Sequence, residues 1–135
     1  MADLEHPVMR TAIVTGGASG IGAGAARRLA RDGAAVVVTD LARSREDGER
    51  VVDEIRASGG TAEFHPLDVR DEAAVAALFD RLAQDGTVAD VLVTSAGVDT
   101  HPDAVDRVPL AHLPVDHFDF VLDVNLLGTF SCARE

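Results

Sequence analysis

Apolar residues in this chain alternate between two rhythms: short unbroken β-branched runs, and longer stretches where they recur every three or four positions. The runs cover residues 11–15, 35–39, 61–67 and 88–93, the second ending on Asp40 and the third running into Asp68 and Val69. A strand without polar alternation is one covered on both faces, as in a parallel sheet. Pro66 suits an outer strand or a strand end, because proline supplies no ladder donor. Between the runs the period is helical. Ile21, Ala25 and Leu29 lead to Asp32 and Gly33; Val51, Val52 and Ile55 lead to Ser58, Gly59 and Gly60; Val75, Leu78, Phe79 and Leu82 lead to Gly86. Ser44 and Asp47 have the spacing of a capping box, and Asp71 and Glu72 suit the positive start of a helix. Residues 98–112 hold two prolines and no steady period, which predicts a loop with one helical turn. Pro114 then opens a last helix, in which Phe118, Val121, Leu122, Asn125, Leu126 and Phe130 continue at helical spacing to Glu135.

The order β-α-β-α-β-α-β-α with covered strands predicts an α/β fold of Rossmann type. Its parallel sheet is doubly wound, with helices on both faces and strands in the order 3-2-1-4. Four strands stand where six are usual, so the sheet is expected to be incomplete, with residues 1–135 forming a single domain and the far edge of the fourth strand unpaired.

One junction stands apart. Between the first strand and the first helix, TGGASGIG packs Gly16, Gly17, Gly20 and Gly22 into eight residues. Glycines let backbone approach a ligand closely, and a helix opening at that point aims free N–H groups and the positive end of its dipole outward, a ready seat for a pyrophosphate. The same cluster also serves a tight strand-to-helix connection that binds nothing.

Composition narrows the chemistry. A formal charge of −11 argues against nucleic acid or an anionic membrane as partner, since both demand a basic face. The opening MADLEHPVMR has no basic segment followed by an apolar one, and no apolar run approaches a membrane span, so a soluble cytoplasmic protein is expected. The single Cys132 fits a reducing compartment. His112 and His117, five apart, do not share a helix face, and no metal site is expected; Asp116, Asp119 and Asp123 mark a solvated helix face. Two absences matter most: there is no tyrosine, and all twelve basic residues are arginine, so there is no lysine.

Five segments in register carry a resemblance: TGGASGIG, Asp40 after the second strand, LDV at residues 67–69, SAG at residues 95–97 and DVNLLGTF at residues 123–130. Together they resemble the short-chain dehydrogenase/reductase superfamily across essentially the whole chain. The resemblance implies an NAD(P)-binding Rossmann domain. It places Gly16, Gly20 and Gly22 under the pyrophosphate, with Ser19 and Ile21 contacting phosphate and nicotinamide. Asp40, 18 residues past Gly22, matches the acid that holds the adenosine ribose; a carboxylate accepts from both ribose hydroxyls and repels a 2′-phosphate, which favours NAD over NADP. Asp68 and Val69 match the pair bordering adenine, with Asp68 accepting from the exocyclic amine, while an aspartate at a strand end also bonds nearby backbone N–H groups. Ala96 and Gly97 match the turn beside the ribose, and Ser95 stands where the family usually has asparagine. Asn125 matches the helix asparagine of the family's proton relay, whose serine, tyrosine and lysine lie further along. The chain is therefore expected to be the cofactor-binding N-terminal part of an NAD-dependent oxidoreductase acting on a small alcohol or carbonyl substrate, homo-oligomeric when complete and inactive alone. The alternative is a non-catalytic dinucleotide-binding or interaction module.

Overall fold

The computed structural model of the chain describes residues 10–104 and 108–135; of the expected loop at 98–112, residues 105–107 lie outside the described ones. In chain order the elements are β1 (Thr11–Thr15), α1 (Gly20–Arg31), β2 (Ala35–Asp40), α2 (Arg45–Ala57), β3 (Thr61–Pro66), α3 (Glu72–Gln84), β4 (Ala89–Thr94), α4 (Val115–Leu122) and α5 (Gly128–Arg134). A π-helical turn, Asp123–Leu127, joins the last two helices, and short 3-10 turns cover Ala42–Ser44 and Leu110–His112.

The four strands are all parallel in the order β3-β2-β1-β4, as expected. Ile13 of β1 pairs with Val37 on one side and Leu92 on the other. Successive side chains along each strand feed opposite faces. Ala12, Val14, Val36 and Val38 pack with Ala23, Ala26, Val51, Val52 and Ile55 of α1 and α2. Ile13 and Val37 face the other way, onto Val75, Leu78 and Leu82 of α3 and onto Val124 and Cys132. This two-sided burial is why β1 and β2 read as unbroken apolar runs, and each buried aliphatic side chain contributes roughly 1.5–3 kcal/mol relative to an exposed one. Gly48, in the first turn of α2, is explained by packing: a Cβ there would strike the ring of Phe64 on β3.

Four local expectations need correction. The capping box at Ser44 and Asp47 does not form: Ser44 makes no side-chain cap, and Asp47 bonds Arg50 instead. The 3-10 turn feeds Ser44 into α2 at φ −92° and ψ 11°, outside the extended conformation that a capping side chain needs. β3 ends at Pro66, one residue early, and forms the sheet's outer strand as Pro66 predicted. β4 is not a buried strand: among the described residues it pairs with β1 alone, its residues are half-buried or exposed, and Val88 before it is 74% exposed. Finally, the stripe chosen for the last helix faces the wrong way. Phe118, Leu126 and Phe130 are 50%, 64% and 56% exposed, while Val124, Gly128, Ser131 and Cys132 are buried. Small residues win that face because Gly128 sits against Val69, where a Cβ would lie 2.5 Å from Val69 Cγ2.

Candidate functional site at the glycine mouth

The candidate cofactor-binding residues lie at and just past the C-terminal ends of the strands and at the start of α1, with Asn125 in the turn between α4 and α5. The mouth is built from β1 outward. Thr15, buried at the end of that strand, accepts through Oγ1 from the N–H groups of Ser95 and Ala96, both at 3.2 Å, so the turn after β4 is drawn onto the turn after β1. The Gly17 N–H donates to the Thr39 carbonyl at 2.9 Å, closing the loop over β2.

The glycines divide the work. A Cβ on Gly16 would come 2.6 Å from the Ser95 carbonyl oxygen, and one on Gly22 would be driven into the Gly16 carbonyl, so these two allow backbone to lie on backbone. Gly20, at φ +53°, has a conformation that a side chain resists, yet nothing stands within 4 Å of where a Cβ would be. That open space fronts the start of α1. Ser19 makes no side-chain cap, the first helical bond runs from the Ala23 N–H to the Ser19 carbonyl at 3.0 Å, and the first turn carries no acid. The N–H groups of Gly20, Ile21 and Gly22 therefore have no intrahelical acceptor, and a phosphate oxygen would satisfy them. Ile21, 85% exposed, holds an apolar side chain at the rim.

Asp40 turns back onto this mouth. Its Oδ2 accepts from the Ala18 N–H at 3.1 Å and its Oδ1 from the Leu41 N–H at 2.8 Å. The carboxylate is thus fixed beside the glycine turn with lone pairs to spare for a diol. Its carbonyl accepts from the Leu67 N–H at 2.7 Å, which leads the chain directly into Asp68. Asp68 is held by Arg70 and stays about a third exposed: its carboxylate accepts from the backbone N–H, Nε and Nη2 of Arg70, at 3.1, 3.0 and 2.5 Å. Those bonds hold the Asp68 carboxyl below the usual carboxylate range, against the opposing pull of burial. Val69 is buried against Gly128.

Asn125 lies in the π-helical turn, a departure from α geometry often found at functional positions. Its amide grips the loop after β4 with both ends: Oδ1 accepts from the Val98 N–H and Nδ2 donates to the Val98 carbonyl, each at 2.8 Å. Gly97 leaves room for that grip, since a Cβ there would approach Asn125 Oδ1 to 3.3 Å. The structure thus brings Gly16, Gly20, Gly22, Asp40, Ala96 and Gly97 around one mouth, with Asn125 at its β4 side. Asp68 and Val69 continue it beyond β2.

Sequence reasoning missed several parts of this site. Thr15 looked like an ordinary strand residue, and the role of Gly128 depends on a contact 59 positions away in the chain. Arg70 was passed over although its place two residues after Asp68 permits a local side-chain pair. The stacking of His101 on His117, ring centroids 4.3 Å apart, has no signal in the spacing. An open cavity of about 410 Å³ lies away from the mouth, at the N-terminal end of β4, lined by Leu82, Val91, Leu92 and Cys132 together with Asp80, Asp90 and Glu135.

A parallel sheet in the order 3-2-1-4, a glycine turn and an uncapped first helix define an α/β domain of Rossmann type. Comparison with known proteins carries this further: a family model described as short chain dehydrogenase matches residues 10–135. The chain belongs to that family. It is 39% identical over 134 residues to the uncharacterized oxidoreductase YxbG of Bacillus subtilis (strain 168), covering 99% of this chain and 45% of that protein. Among solved structures, a citronellol catabolism dehydrogenase (AtuB) of Pseudomonas aeruginosa PAO1 superposes with a TM-score of 0.80 at 39% identity, covering 93% of this chain and 48% of that one. An NAD⁺-bound xylitol dehydrogenase superposes with a TM-score of 0.82 at 30% identity, covering 93% and 45%. The chain spans about half the length of the relatives it matches. Among the described residues, no helix is long and apolar enough to cross a membrane.

Proposed function

We propose that this chain is the cofactor-binding portion of an NAD-dependent oxidoreductase of the cytoplasm that moves a hydride between nicotinamide and a small alcohol or carbonyl compound. The observation that carries this reading is the Asp40 carboxylate, turned onto the Ala18 N–H at 3.1 Å beside the uncapped start of α1. A diphosphate on the N–H groups of Gly20, Ile21 and Gly22 brings the adjoining ribose within reach of that carboxylate, which favours two free hydroxyls and repels a 2′-phosphate. The NAD⁺ in the similar xylitol dehydrogenase supports the choice of dinucleotide.

Bound nicotinamide supplies the hydride chemistry; the chain's own residues bind and orient. Gly16 and Gly22 shape the seat, Ser19 and Ile21 flank it, and Ala96 and Gly97 line the ribose side. Asn125 positions the Val98 backbone next to them. With no tyrosine and no lysine in the chain, the acid–base groups typical of the family must come from outside these 135 residues. The exposed ridge of Phe118, Leu126 and Phe130 supports a homo-oligomeric assembly.

Titration of the purified chain with NADH and NADPH, followed by nicotinamide fluorescence, tests the reading. NADH is expected to bind at least tenfold more tightly, and Asp40→Ser to remove most of that preference. Equal binding of both by the unaltered chain, or no binding by a chain shown to be folded, overturns it.

A further inference from the structure

We propose that Arg70 is a positioning residue for the adenine end of this site, fixing the Asp68 carboxylate as an acceptor that selects an exocyclic amine. The inference rests on the dinucleotide reading above and adds a residue to it.

Two independent restraints act on the same guanidinium. Its Nε and Nη2 form a fork onto Asp68, at 3.0 and 2.5 Å, while the Arg70 backbone N–H bonds Oδ1 at 3.1 Å. Its flat face lies over Phe120 of α4, with Cζ 4.9 Å from the ring centroid. Phe120 is itself held: the ring of His101 meets it at 4.9 Å and 70°, and His101 stacks on His117 at 4.3 Å with the rings 4° from parallel. A continuous row therefore runs from Asp68 through Arg70, Phe120 and His101 to His117, linking the end of β3 to α4 and to the loop after β4.

Stability alone does not account for such a row. The Arg70 and Asp68 side chains are 41% and 34% exposed, and an exposed ion pair contributes little to folding. What the row does is hold a carboxylate's direction. An ionised carboxylate only accepts hydrogen bonds, so it takes an adenine-type amine and refuses a carbonyl in the same place. Arg70 stops the Asp68 carboxylate rotating and extends its ionised range to lower pH, and the planar fork over an aromatic ring is a task that lysine cannot repeat.

The test uses the full chain with NAD and with its hypoxanthine analogue, in which a ring carbonyl replaces the amine, each titrated by calorimetry. The unaltered chain is expected to prefer NAD. Arg70→Ala is expected to lower NAD affinity about tenfold and analogue affinity less than about twofold, so that the preference collapses. Arg70→Lys is expected to recover only part of it. Phe120→Leu, which keeps bulk and removes the ring face, is expected to shift the preference the same way by a smaller factor. NAD affinity of Arg70→Ala should also fall away at a higher pH on acidification, because the Asp68 carboxyl then titrates without its partner. A chain that binds both ligands, with the preference unchanged in Arg70→Ala or both affinities reduced equally, overturns the role of Arg70 and leaves the dinucleotide reading standing. A folded chain that binds neither ligand overturns both.

Discussion

Helices α1 and α3 each follow a strand of the same parallel sheet and open at the same edge of it, yet their first turns are built in opposite ways. At α3 the chain satisfies itself: the Asp71 carboxylate accepts from the Ala74 N–H at 3.0 Å, Glu72 adds negative charge to the first turn, and Arg134 from α5 pairs with Glu72 at 3.2 Å. At α1 none of this is present. Ser19 makes no side-chain cap, no acid sits in the first turn, and the space before Gly20 is open. Acidic residues are not scarce, with 23 in the chain, and α2, α3 and α4 each carry at least one in the first turn. A helix start completed by its own side chains has no need of a ligand; one with neither a cap nor an acid in its first turn leaves its donors open to one.

The largest effect is expected from removing the geometry on which the open start depends. Gly22→Ala pushes a methyl into the Gly16 carbonyl, so the turn must shift against the backbone of Ser95. The expected result is loss of detectable dinucleotide binding with destabilisation of about 2–3 kcal/mol, read from the urea midpoint. Gly20→Ala, where a Cβ meets nothing, keeps the fold better but strains φ, and is expected to lose binding out of proportion to stability. Equal loss of stability in the two variants would break the distinction between packing glycine and ligand-facing glycine.

Exchanging the two designs sharpens the contrast. Ser19→Asp gives α1 the acid that α3 has: stability is expected to rise by about 0.5–1 kcal/mol, while NAD binding falls at least tenfold because the new carboxylate competes with the diphosphate. Asp71→Ala does the converse, costing about 1 kcal/mol of stability with NAD affinity unchanged. Thermal midpoints of the two variants should move in opposite directions, while NADH titrations should weaken in Ser19→Asp alone.

How much of this was legible beforehand follows the range of the forces involved. Sheet order, the glycine turn and the acidic opening of α3 were readable because periodicity, backbone sterics and the helix dipole act within a few residues. The face of the last helix was misjudged because two apolar stripes compete there, and contact between Val69 and Gly128 decides between them. The π-helical turn at Asn125 and the Arg70, Phe120, His101 row have the same origin: they form only once β3, β4 and α4 are assembled. Ser44 failed as a cap for a local reason, the 3-10 turn before it, which propensity alone does not register.

The smallest effects separate the open edge from the closed interior through pH. Asp68, at the edge, titrates lower when folded than unfolded, chiefly because of its bonds to Arg70. Its contribution is present above the unfolded value of 3.8 and is lost as pH falls through the folded value. Being exposed, the pair is worth less than about 1 kcal/mol. Cys132, in the interior at 1% exposure, titrates higher when folded because burial disfavours the thiolate. Its contribution is complete below the unfolded value of 9.0 and is lost as pH rises from there toward the folded value, since only the unfolded chain ionises freely in that range. Urea midpoints between pH 7 and pH 10 should therefore fall in the unaltered chain and fall less in Cys132→Ala, after allowing for that variant's lower plateau. Arg70→Ala should leave this alkaline limb unchanged and flatten only the acid one. If either substitution altered the other's limb, edge and interior would be electrostatically joined, and the division between a ligand-facing rim and a self-sufficient core would have to be redrawn.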